Sequence, residues 1–184
     1  MTVAEFLVWA PPTAGCWQLV DGVALAMAPA SPTHAAIQAE VGSLIRNHLR
    51  AQNSPCRVIA NPGVVPRVQS DCNMRIPDLA VVCGPIRRDD TAAVDPVLLI
   101  EILSPGNKAK TWINVWAYTT IPSVREILVI HSTEIGARLL RRQDDGSWPE
   151  QPLLVSDGTL TLDSVGFQVS VESLYAGTWL QPAD

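Results

Sequence analysis

Asp78 and Glu101 are the residues most able to do chemistry. Asp78 follows Pro77 at the head of one apolar run, and Glu101 interrupts another, Val97-Leu98-Leu99-Ile100-Glu101-Ile102-Leu103. The second run shows no polar/apolar alternation. It therefore predicts a strand buried on both faces, where an ionised carboxylate is costly unless something offsets its charge. A divalent cation would do so. Lys108 and Lys110, the only lysines in the chain, follow shortly after. Two carboxylates and a nearby ammonium suit Mg²⁺- or Mn²⁺-assisted phosphodiester hydrolysis. The cation would polarise the phosphoryl oxygen and acidify a bound water, and the lysine would stabilise developing negative charge or orient the nucleophile. The plainer reading is that Asp78 completes a turn and Glu101 pairs with a local arginine, since short spacings of this kind often arise by chance.

These side chains must be held by neighbouring strands. Leu79-Ala80-Val81-Val82-Cys83 and Pro96 to Leu103 are strand-like, and Gly84 to Asp95 can close a hairpin between them. If Cys83 faces Pro96, Asp78 faces Glu101, with side chains roughly 4.5–5.5 Å apart. One hard cation could then take an oxygen from each.

Upstream, Thr2 and Glu5 have capping-box spacing for a helix ending before Pro11-Pro12, and Asp21-Gly22 predicts a hairpin between Cys16–Val20 and Val23–Met27. Ser31-Pro32 opens a long amphipathic helix with Ile37, Val41, Leu44, Ile45 and Leu49 on one face. Strands are expected at Arg57–Ala60 and Val64–Val68, a second helix at Lys108–Thr119, and further strands at Arg125–Ile130 and Ala137–Arg142. Short strands and a helical turn at Val171–Ala176 close the chain. This order describes one α/β domain over residues 1–184, with a bent mixed sheet.

With 184 residues and 47% hydrophobic content, the chain is large enough for a single core without disulfide staples. Cys16, Cys56, Cys72 and Cys83 show no C-x-x-C spacing and are expected to be buried thiols rather than a zinc site or redox pair. No apolar run is long enough to span a membrane and the N-terminus carries no signal-peptide pattern, so a cytoplasmic location is expected. A formal charge of -5 argues against a broad nucleic-acid surface. A local basic face would have to come from Arg46, Arg50 and Arg57 or from Arg138, Arg141 and Arg142; solvated surface charge is the alternative for each group.

Leu19-Val20-Asp21-Gly22, Ser31-Pro32-Thr33-His34, Ile76-Pro77-Asp78, Asp95-Pro96-Val97, Glu101-Ile102-Leu103-Ser104-Pro105 and Ile121-Pro122-Ser123 occur in this order. Together they resemble the Uma-type restriction endonuclease family of the PD-(D/E)XK nuclease superfamily, from Thr2 to about Gly177. The resemblance implies a restriction-endonuclease-like core, a bent central sheet flanked by helices. It also implies a Mg²⁺ or Mn²⁺ site at Asp78 and Glu101, with the Ile102 carbonyl as a further ligand, and DNA as substrate. Many relatives carry Glu at the position of Gln18 and lysine at that of Asn114, four residues before the tyrosine that corresponds to Tyr118. Gln18 would then position water or metal with one charge fewer. Lys110, one helical turn before Asn114, is the candidate catalytic substitute, and Lys108 the weaker one.

Other residues stay open at this level. His34 could face the site, but a capping or surface role is favoured; Glu40 could aim at a metal, although nothing in its spacing demands it. Arg75 could approach a phosphate or pair with a surface acid. Trp112 and Trp116 are expected to pack the second helix against the sheet or a partner subunit, with a homodimer in view, and base stacking is the lesser alternative. The competing function is a catalytically degenerate nuclease fold that binds nucleic acid or protein, and hydrolysis of a small phosphodiester is a third.

Overall fold

The computed structural model describes residues 1–181. Helix α1 (Val3–Val8) starts at the predicted capping box: Thr2 accepts from the Glu5 amide, and Glu5 accepts from the Thr2 amide. Strands β1 (Trp17–Val20) and β2 (Val23–Ala26) form the hairpin around Asp21-Gly22. Ser31 caps helix α2 (Pro32–Ala51) by accepting from the His34 amide, and Pro32 occupies its first turn. There the missing proline N–H costs nothing.

The central sheet has six strands in the order β3 (Arg57–Ala60), β4 (Leu79–Val82), β5 (Pro96–Leu103), β6 (Glu126–His131), β7 (Ala137–Arg141) and β8 (Leu153–Val155). All neighbours are antiparallel except β5 and β6. That parallel pair needs a crossover, which α3 (Lys108–Tyr118) supplies. A small hairpin of β9 (Thr159–Leu162) and β10 (Phe167–Ser170) follows. The expected fold class, a mixed α/β domain with a central sheet flanked by helices, is the one observed.

Alternation along β5 decides what each face buries. Leu98, Ile100 and Ile102 join one cluster with Ile37, Val41, Ile45 and Leu49 of α2. Leu99 joins the other, with Val115 and Tyr118 of α3 and Ile127 and Val129 of β6. By the same period of two, Glu101 falls on the α3 face.

Four expectations are corrected. Val64–Val68 is not a strand: Val64 alone makes a bridge, to Arg75, and Pro66, two residues on, has no N–H to give a ladder. Cys83 does not face Pro96, because the register shifts between Val81 and Val82 and brings Val82 opposite Pro96. The cysteines are not four buried thiols. Arg57 pairs with Val82, so the next positions outward, Cys56 and Cys83, oppose each other and are joined by a disulfide across 27 residues. Cys16 is exposed and Cys72 half-buried. Finally, Arg138, Arg141 and Arg142 make no outward basic face. Arg141 donates to Glu126 at 2.7 Å, Arg142 donates to the carbonyls of Thr119, Ile121 and Val124, and the Arg138 guanidinium lies over the Trp112 ring.

Among the described residues no helix is long and apolar enough to cross a membrane.

Candidate functional site

The β4–β5 ladder runs Val81 opposite Leu98, Ala80 opposite Leu99 and Leu79 opposite Ile100. The ladder ends at Leu79 and Ile100, and its register carried one step further puts Asp78 opposite Glu101. The bulge lies at the far end of the hairpin and leaves this pairing intact. Asp78 is 8% exposed and Glu101 6%, so both need partners.

Asp78 receives three sets of contacts. Its Oδ2 accepts from the Ile102 N–H at 2.6 Å, and its Oδ1 lies 2.9 Å from His34 Nε2. Gln38, one helical turn after His34, donates through Nε2 to the Asp78 carbonyl at 2.8 Å and to Asn61 Oδ1 at 2.7 Å. His34 therefore does not sit on the surface as a cap; it turns inward, and Glu40 has no comparable contact. A readable signal existed. His34 and Gln38 lie on the same helical stripe as Ile37, Val41 and Ile45, where a polar residue must find a partner.

Glu101 accepts from the Tyr118 hydroxyl at 2.7 Å. Burial and the nearby Asp78 charge push its carboxyl up to about 8, against the opposing pull of Tyr118, Asn114 and Lys110. Burial, and then Glu101, hold the Tyr118 hydroxyl well above its usual range, so it stays a donor. Asn114 Nδ2 donates to Gln18 Oε1 at 3.3 Å, while Gln18 Nε2 and Asn114 Oδ1 are buried without partners. Lys110 donates to the Ala26 carbonyl at 3.4 Å. Lys108 is exposed and outside the cleft. Arg75 is buried, not a surface residue, and burial lowers its guanidinium while Asp21 and Tyr118 raise it.

Asp78, Glu101, Gln18, Asn114, His34 and Lys110 all line one cleft of about 730 Å³. A smaller pocket of about 230 Å³, bounded by Ile59, Pro85 and Val94, lies at the other end of the β4–β5 hairpin.

The donor set can be tested against a metal ion. No group of three or more His, Cys, Asp or Glu side chains converges as a metal site among the described residues, which does not suit zinc. Two carboxylates plus a carbonyl and waters do suit Mg²⁺, which keeps several waters and takes one or two carboxylates. The Ile102 N–H points at Asp78, and the carbonyl of a strand residue leaves the same edge as its N–H. The residues fit a hard divalent cation.

Two buried acids thus lie at the same end of the neighbouring strands β4 and β5 in a mixed sheet. A crystal structure from Anabaena variabilis, described as a putative nuclease belonging to DUF820, has this fold with a TM-score of 0.75 and 20% identity. The match covers 95% of this chain and 97% of that one. An uncharacterized protein of Synechocystis sp. is 29% identical over 175 residues, covering 94% of this chain and 90% of the relative. Residues 3–172 match the Uma2 family, described as putative restriction endonuclease. The chain belongs to that family, as its motifs implied.

Proposed function

We propose that this protein is a metal-dependent nuclease that hydrolyses phosphodiester bonds of DNA. One observation carries the reading. Two buried carboxylates lie at the same end of neighbouring strands, and burial together with the Asp78 charge pushes the Glu101 carboxyl up to about 8. A divalent cation would relieve that repulsion and take oxygens from both.

Asp78, Glu101 and the Ile102 carbonyl would hold Mg²⁺ or Mn²⁺, which when bound supplies Lewis acidity toward a phosphoryl oxygen and toward water. His34, Gln38 and the Ile102 N–H fix the aspartate, and Tyr118 fixes the glutamate. Lys110, which lines the same cleft, would meet negative charge developing on the phosphate. The Gln18–Asn114 pair offers a free donor and a free acceptor, which suits a water molecule or a substrate hydroxyl.

The same amide pair favours a second reading, a nuclease fold that binds nucleic acid without cutting, because two neutral side chains occupy a place where charges would help a metal. Calorimetric titration of Mg²⁺ and Mn²⁺ separates the two. Saturable binding abolished by Glu101→Ala, with cleavage lost in Asp78→Ala and Glu101→Ala, is the expected result. Cleavage that survives both substitutions in folded protein would overturn it.

A further inference from the structure

Resting on the nuclease reading, we propose that the cleft admits a single unpaired nucleotide, so that the phosphodiester presented to Asp78 and Glu101 belongs to a single strand or a short free oligonucleotide and not to a duplex.

Charge is the first argument. Among the described residues that line the cleft, Lys110 is the only lysine or arginine. Duplex binding depends on many phosphate contacts from basic side chains. Lys108 follows the lining residues Gly106 and Asn107, but Arg46, Arg57, Arg87, Arg141 and Arg142 stand elsewhere. Arg46 is twelve residues beyond His34 on α2, about 18 Å along the helix axis. Arg57 and Arg87 lie toward the disulfide end of β3 and β4, and Arg141 and Arg142 are bonded inward. One lysine serves one phosphate.

Shape is the second. The carboxylates lie almost fully buried at the floor, so the reacting phosphate must enter the cleft. A volume of about 730 Å³ is that of a site for one small molecule, within the roughly 300–1,000 Å³ usual for such sites. A cleft of that size suits one nucleotide of an unpaired strand better than the face of a rigid duplex.

The walls provide the third. Met27, Ala28, Pro29 and Ala30 form an apolar side, and Trp179, 65% exposed, stands on the lining. An exposed indole beside an apolar wall offers a stacking surface that accepts any base. The polar groups added to it are mostly neutral: Asn61, Thr111, and the Gln18–Asn114 pair with its unpaired donor and acceptor. They suit a sugar and base edge.

The test uses a short fluorescein-labelled oligodeoxynucleotide, its duplex, and an unlabelled thymidine dinucleotide as competitor, with binding read by polarisation and hydrolysis read separately on gels with Mn²⁺. The single strand is expected to bind at least about tenfold more tightly than the duplex, and Trp179→Ala to lose about tenfold of that affinity. The salt dependence is expected to be shallow, with a log–log slope of about −0.7 for one neutralised phosphate. Competition by the dinucleotide would assign the site to any free phosphodiester of this size; strand binding without competition would assign it to a nucleotide within a strand. Equal or tighter duplex binding, or binding of neither form, would overturn the proposal. Single-strand preference without hydrolysis would instead remove the nuclease reading, and duplex cleavage would retain that reading while removing this one.

Discussion

His34 Nε2 lies 2.9 Å from Asp78 Oδ1, and the same first turn of α2 that supplies this contact is itself held by the Ser31 cap. The helix thus fixes the aspartate from one side while the Ile102 N–H fixes it from the other. Partners of this kind set the orientation of a ligand carboxylate.

His34→Ala is therefore expected to weaken Mg²⁺ or Mn²⁺ binding roughly 10–100-fold, read by calorimetry, with the circular dichroism spectrum retained. Glu40→Ala on the same helix, outside the cleft, is the control and is expected to change nothing.

Glu101 gives the metal-free protein a defined pH dependence. Its carboxyl titrates near 4.5 when unfolded and at about 8 when folded, so between these values the native state holds a proton that the unfolded state has released. Stability contributed by the protonated form is complete below pH 4.5 and declines as pH rises toward 8, by at most about 1.4 kcal/mol per pH unit. Thermal melts of wild type against Glu101→Gln across this window are expected to diverge steadily, the variant holding its Tm. Added Mg²⁺ should flatten the wild-type slope, since it favours the ionised carboxylate. Parallel wild-type and variant curves would contradict this account.

Lys110 and Lys108 are predicted to separate cleanly. Lys110→Met is expected to lower kcat roughly 100-fold or more with KM little changed, the pattern for a charge used mainly in the transition state. Lys108→Met, at an exposed position off the cleft, should keep wild-type kinetics.

The Cys56–Cys83 bond ties β3 to β4 at the end away from Asp78. Cys56→Ser with Cys83→Ser is expected to cost about 3 kcal/mol in urea unfolding, from the loop it closes, while metal affinity stays within twofold because the carboxylate end of the ladder keeps its register.

Much of this arrangement was legible in the sequence, and for identifiable reasons. A hairpin read from Cys83 opposite Pro96 starts from a pair that the bulge at Val81/Val82 displaces, and a one-residue slip leaves no mark in an all-apolar run; the register still agrees at Leu79 and Ile100, next to Asp78 and Glu101. The Asp21-Gly22 turn and the Ser31-Pro32 helix start carry their geometry in two residues each. A first-turn position accounts for His34 locally as a cap, and only the inward face of α2 decides between that and the site. Cys56 and Cys83 could be paired only after two separate strand registers were known. The inward use of Arg141 and Arg142 depends on Glu126 and on carbonyls at the end of α3, which no local pattern reports.

The contacts that make the cleft span long stretches of chain: 44 residues for His34 with Asp78, 24 for Asp78 with Ile102, and 96 for Asn114 with Gln18. Each requires a large loop to close before it yields any stabilisation, and closures of that kind slow folding. During synthesis the ribosome must release α3 before Glu101 has its tyrosine or Gln18 its asparagine. A nascent chain that stops at β5 would own both carboxylates and no complete cleft.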